Sequence, residues 1–145
     1  MTLTITRSVD ETMAAGGAFA TVLRPGDVVA VVGDLGAGKT HFVTGVCAGL
    51  AAEGHIASPT FTLIHEYRAA ACTVIHADMY RIGSIREAFD LGLAEYFQPP
   101  YITLIEWADR ILDLLPAEHY LVELRHRTDP VEREIMIRRS GEGRA

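Results

Sequence analysis

Hydrophobic and polar positions along this chain alternate, cluster and break in the manner of an α/β protein. "TLTIT", residues 2–6, alternates with period two and predicts an edge strand. Ser8 and Glu11 have the spacing of a capping box, in which hydroxyl and carboxylate satisfy the first free N–H groups of a helix. A helix is therefore expected over residues 9–23. "RPGD" marks a turn, and the unbroken apolar run "VVAVV" predicts a strand buried on both faces. Residues 39–52 have the composition of a second helix. "SPTFTLIHEY" reads as a loop that runs into a strand, with Pro59 near its start, and "CTVIHAD" as a further strand. "SIREAFDLGLAEYF" is helical in spacing, interrupted at Gly92. "YITLIEW" predicts another buried strand, and a short helix over 108–115 is stopped by Pro116. "YLVELRHR" and "EREIMIRR" alternate on either side of "TDPV", which predicts a β-hairpin. Strands alternating with helices favour a parallel centre, which the hairpin and "FTLIHEY" extend with antiparallel strands.

Composition narrows the class. A chain of 145 residues, 49% hydrophobic, suits one globular domain, expected over 1–140 with 141–145 a flexible tail. A net charge of −6 argues against holding nucleic acid by bulk electrostatics. Cys47 and Cys72 lie in apolar surroundings without metal-ligand spacing and are expected to be small core residues. The start has no apolar leader core and no apolar run reaches membrane length, so a soluble, cytoplasmic protein with no membrane contact is expected.

The chemistry concentrates after "VVAVV". Residues 33–40 fit G-x-x-x-x-G-K-[ST] without a mismatch. Gly33, Gly36 and Gly38 let the backbone curl so that its N–H groups form an anion nest, and the following helix adds the positive end of its dipole. Lys39 is expected to reach the β- and γ-phosphates of a nucleotide, and the Thr40 hydroxyl to hold Mg²⁺. Of the 13 basic residues Lys39 is the only lysine, and it stands where a compact ammonium on a flexible stem suits a phosphate.

Asp78 ends "TVIHAD" and Glu106 ends "ITLIE". In an open α/β sheet ligands gather beyond the carboxyl ends of the parallel strands. If both strands run parallel to "VVAVV", both carboxylates face the phosphates, where they bind Mg²⁺ directly, bind it through water, or orient an attacking water. In "SPTF", Ser58 and Thr60 are either a switch whose hydroxyl meets the metal or a turn hydrogen-bonded to its own backbone. His76 shares a strand face with Asp78 and reads as a hydrogen-bonded structural histidine. Trp107 reads as a packed anchor beside the site.

"GDLGAGKTHF", "SPTFTLIHEY", "HADMYR", "LGLAEYF" and "IEW", in this order and spacing over roughly residues 8–139, resemble the bacterial TsaE family, also known as YjeE. The resemblance implies a phosphate-loop NTPase fold, with a central parallel sheet, flanking antiparallel strands and a C-terminal β-hairpin. It implies a slow ATPase acting with TsaD- and TsaB-type partners in making threonylcarbamoyladenosine on tRNA, with Mg²⁺ as cofactor and tRNA met only within the complex. On matching positions it implies nucleotide contacts from Gly33, Asp34, Leu35, Gly36, Ala37, Gly38, Lys39, Thr40 and His41. Thr40 with Glu106 would serve the metal, Asp78 the metal or the water, and Thr60 the switch; Thr12 would border the base. His41 departs from the hydroxyl residue more usual there, and Ala77 from a bulkier apolar one.

Other classes fit less well. The Asn-Lys-x-Asp guanine motif of Ras-like GTPases is impossible in a chain without asparagine. A small-metabolite kinase needs a second substrate pocket and a lid, for which little chain remains. A nucleotide-gated binding subunit, in which hydrolysis only resets a complex, overlaps with the ATPase reading.

Overall fold

The computed structural model describes residues 1–54 and 63–141. Among these, seven strands form one sheet: β1 (Thr2–Thr6), β2 (Val28–Gly33), β3 (Ile64–Arg68), β4 (Thr73–Asp78), β5 (Tyr101–Glu106), β6 (His119–His126) and β7 (Arg133–Ser140). Their order is β1-β7-β6-β2-β5-β4-β3. The inner strands β6, β2, β5 and β4 are parallel, and β7, β1 and β3 are antiparallel to their neighbours. The expected architecture holds, with one refinement: β6, the first strand of the hairpin, lies inside the parallel centre beside β2. β2 is therefore flanked on both edges and both faces, which its apolar run requires: Val28, Val29, Ala30 and Val31 are all buried.

Successive strand residues face opposite sides and build two cores. Val29, Val31, Val74, Leu104, Val122 and Leu124 face α1 (Val9–Ala20) and α2 (Lys39–Gly49). Val28, Ala30, Ala77 and Ile105 face the other layer: α3 (Ile85–Asp90), a 3₁₀ turn at Leu93–Tyr96 and a 3₁₀ segment at Ala108–Leu114. α1 and α2 cross at glycines. A Cβ at Gly16 would stand 2.2 Å from the Phe42 carbonyl oxygen, and one at Gly45 2.0 Å from that of Met13. Only residues without a side chain allow the two backbones this approach.

The helices are shorter than their spacing predicts, for local reasons. The Ser8 hydroxyl accepts from the Glu11 N–H as the capping box requires, but α1 ends at Ala20. There the Thr21 hydroxyl donates to the Ala18 carbonyl and competes with the backbone ladder. α2 ends at Gly49, where the Ala52 N–H donates back to Cys47 and Ala51 takes the left-handed conformation at φ 58°. The expected helix over 108–115 is a 3₁₀ segment kinked at Ile111. Residues three apart eclipse in 3₁₀ geometry, so Ala108, Ile111 and Leu114 all turn to the core. Gly92 interrupts the α3 region as expected, at φ 78°. Cys47 is buried in the core and Cys72 packs partly buried against it. The expected tail lies outside the described residues from Glu142 on, as do Ser58 and Thr60.

Candidate functional site

The site forms where β2 stops. Val31 pairs with Glu106, and Asp78 pairs with Glu106 on the far side of β5. The parallel register thus brings the ends of β4 and β5 level, two residues short of the end of β2, so the two acids and the loop after β2 share one edge of the sheet. This is the arrangement expected from sequence. Gly33 leaves the strand at φ 152°, where a Cβ would meet the Leu124 carbonyl oxygen at 2.4 Å. Gly38 caps α2 at φ 103°, in the left-handed region open to glycine. Its carbonyl accepts from the Phe42 N–H and starts the helix.

Lys39 is the first residue of α2 and is 95% buried by its surroundings, at 5% exposure. Its ammonium donates to the carbonyls of Gly33 (2.5 Å) and Asp34 (2.8 Å), the first two residues of the turn it would serve. It also lies 4.0 Å from the centre of the Trp107 ring, so a π face covers the charge. Burial pushes the Lys39 pKa below its ordinary value, while the carboxylates of Glu106, Asp109, Asp34 and Asp78 oppose that shift. An ammonium short of water and hydrogen-bonded only to neutral carbonyls is primed for an anion.

Thr40 follows, and its hydroxyl donates to Glu106 Oε1 at 2.8 Å. Glu106 is 2% exposed and Asp78 is 3% exposed. Asp78 Oδ1 accepts from the Tyr80 N–H, which turns the chain out of β4. Both acids line a cleft of about 310 Å³ with Leu35, Gly36, Gly38, Lys39, Thr40, His41, Tyr80 and Trp107. Ala37 is fully buried and Asp34 is exposed. His41 lies between this cleft and a second one of about 350 Å³, lined also by Arg7, Thr12 and Arg133. Thr12, expected near the base, lines that second cleft and shares a buried hydroxyl contact of 2.7 Å with Thr6. A larger apolar groove lies between α1 and the β1–β7 edge, away from these acids.

Three features escape sequence reading. The hydrogen-bond partner of His76 is Glu106, on the neighbouring strand, with Nε2 and Oε2 2.5 Å apart. Trp107 is both an anchor and a cover: at φ 57° it turns sharply out of β5, packs tilted against Tyr80 with ring centres 4.8 Å apart, and sits on Lys39. Arg110 approaches the same two rings, at 5.9 Å from Trp107 and 5.5 Å from Tyr80. Only the i, i+2 spacing of His76 and Asp78 gave any sign of the first.

Among the described residues no group of three or more His, Cys, Asp or Glu side chains could by itself hold a metal ion. Thr40 and Glu106 set a hydroxyl and a carboxylate oxygen side by side, a donor set of the kind that Mg²⁺ takes when it keeps water and substrate oxygens.

Residues 6–135 match the family described as Threonylcarbamoyl adenosine biosynthesis protein TsaE. The tRNA threonylcarbamoyladenosine biosynthesis protein TsaE of Bacillus subtilis is 42% identical over 126 residues, which span 87% of this chain and 78% of that protein. The protein of the same name from Treponema pallidum is 37% identical over 133 residues, 92% of this chain and 97% of its own. The crystal structure of YdiB from Bacillus subtilis superposes with a TM-score of 0.81 at 35% identity, covering 96% of this chain and 84% of that one.

Proposed function

The chain belongs to the TsaE family, whose role is in tRNA threonylcarbamoyladenosine biosynthesis, and from this we propose that it is an ATP-binding phosphate-loop ATPase serving that modification. The observation that carries the reading is the meeting of Lys39, Thr40, Glu106 and Asp78 in one cleft at the end of three parallel strands.

The division of labour follows from the contacts. The N–H groups of residues 33–41 and the dipole of α2 hold the phosphates. Lys39 exchanges the carbonyls of Gly33 and Asp34 for phosphate oxygens, a stronger acceptor for a desolvated ammonium. Thr40 and Glu106, already hydrogen-bonded to one another, are the protein groups for Mg²⁺. When bound, Mg²⁺ neutralises charge that develops on the phosphoryl oxygens. Asp78 supports the metal or orients the attacking water, and Thr60 serves as a switch hydroxyl. ATP and ADP are bound in preference to GTP, since no guanine-reading motif exists in the sequence.

Among the described residues lining this cleft there is no arginine, so little is available to stabilise a γ-phosphoryl transition state. Turnover alone is therefore slow. TsaD- and TsaB-type partners in the cytoplasm complete the site, and such completion raises turnover by roughly 10³–10⁵. No helix among the described residues is long and apolar enough to cross a membrane.

The test combines calorimetry with phosphate release. ATP–Mg²⁺ and ADP should bind the parent, and Lys39→Ala should weaken both by the loss of charge-assisted contacts worth about 1.5–3 kcal/mol each. Unchanged affinity in that variant would remove the phosphate-loop assignment. With purified partners the release rate should rise. Partners that bind without changing the rate would replace the ATPase by a nucleotide-gated binding subunit.

A further inference from the structure

The strand position of His76 calls for an apolar residue. Its neighbours on the same face of β4 are Val74, fully buried in the core, and Asp78, at the cleft. Leu104 stands opposite it on β5. His76 itself has no exposed surface, and its Nδ1 has no hydrogen-bond partner. A buried polar atom left without a partner lowers stability by about 1–3 kcal/mol, so packing alone does not account for an imidazole here. The one hydrogen bond the ring makes runs from Nε2 to Oε2 of Glu106. The other oxygen, Oε1, accepts from Thr40.

We infer that His76 is a positioning residue, which fixes the Glu106 carboxylate for the metal-bearing side of the cleft. The inference rests on the nucleotide reading above and adds to it a residue that touches neither nucleotide nor metal. Glu106 ends a strand, and a glutamate has three side-chain torsions to settle. Two hydrogen bonds from two different elements, α2 and β4, lock its plane in the ligand-free protein. The Thr40 bond is the one that must yield when the hydroxyl turns to a cation. His76 would then be the anchor that keeps Oε2 in place and leaves Oε1 available to the cation. Hydrogen bonds to ligating carboxylates act in this way at many metal sites, and their loss weakens metal binding by roughly 10–100-fold.

Two variants and one spectrum test this. In His76→Gln the amide nitrogen can reach the place of Nε2 and donate to Glu106; in His76→Leu nothing can. ADP affinity should be measured with a chelator and then across a Mg²⁺ titration, using the fluorescence of Trp107. With chelator all three proteins should bind ADP alike. The Mg²⁺ concentration giving half of the effect should rise roughly 10–100-fold in His76→Leu and stay within about threefold of the parent in His76→Gln. The ring itself is read in the ligand-free parent by NMR. A slowly exchanging His76 Nε2–H resonance should be present, and Glu106→Ala should abolish it. An unchanged Mg²⁺ requirement in His76→Leu overturns the inference, as does an Nε2–H resonance indifferent to Glu106→Ala. If His76→Leu does not fold, the glutamine variant and the spectrum decide. A parent that binds no ADP at all overturns the nucleotide reading itself, and this inference falls with it; a parent that binds normally beside an unaffected His76→Leu overturns this inference alone.

Discussion

Substituting alanine at Gly16 tests how the two N-terminal helices hold the phosphate loop. The new methyl carbon would lie 2.2 Å from the Phe42 carbonyl oxygen and 2.9 Å from the Val46 amide nitrogen. Both are backbone atoms of α2, so no side chain can rotate away and the helices must separate. Overpacking of this kind costs about 1–3 kcal/mol, and a backbone clash belongs at the upper end. Alanine regains about 0.5–1 kcal/mol over glycine in a helix interior. The net loss is about 2 kcal/mol, or a melting temperature lower by roughly 4–8 °C for a chain of this size. Gly17, the next residue, is the control. A Cβ there meets only the Gly45 carbonyl oxygen at 3.6 Å, an ordinary contact. Gly17→Ala should keep the helix gain and melt roughly 1–4 °C higher. Calorimetric melts of the three proteins decide the matter. Because α2 begins with Lys39 and Thr40, ADP affinity should fall in Gly16→Ala and hold in Gly17→Ala. A Gly16→Ala protein as stable as the parent, or equal shifts in both variants, would refute close backbone packing as the function of this glycine.

Further outcomes follow from the site and the core. Glu106→Ala should retain ADP binding in the absence of metal and lose partner-stimulated phosphate release, since the cradle is mainly backbone; release at the parent rate would make Glu106 structural. Trp107 fluorescence should change when ADP draws Lys39 off the ring, and the change should vanish in Lys39→Ala; a response that persists there would mean the ring senses something else. Burial pushes the Cys47 thiol up to about 12, so at pH 8 it carries almost no thiolate. Native protein should therefore yield its Cys72 to a thiol reagent well before Cys47, and denaturant should equalise them. The same shift gives the native state the tighter hold on the Cys47 proton. Its contribution to stability is complete below the ordinary thiol value near 9 and is lost as pH rises toward 12. Cys47→Ala should flatten that alkaline slope in urea titrations.

Much of this molecule is written in local sequence. The apolar run "VVAVV" demanded a strand covered on both faces, and the glycines with Lys39 and Thr40 demanded a turn that folds onto a helix. These are short-range requirements of solvation and backbone freedom, readable residue by residue. The carboxylates at strand ends were legible for a related reason: the sheet is parallel, and parallel strands present their carboxyl ends together. Tertiary structure alone decided what lies between strands. Whether β6 sits beside β2, and whether His76 bonds Asp78 on its own strand or Glu106 on the next, depends on strand order and register, which bring together residues 30 positions apart. Local spacing carries no record of that choice. Likewise the cover of Trp107 over Lys39 depends on a left-handed backbone at a bulky residue, which propensity disfavours and the surrounding packing enforces. Local sequence set the glycines, Lys39 and the two acids at strand ends; the packing of the sheet determined which groups hold them in place.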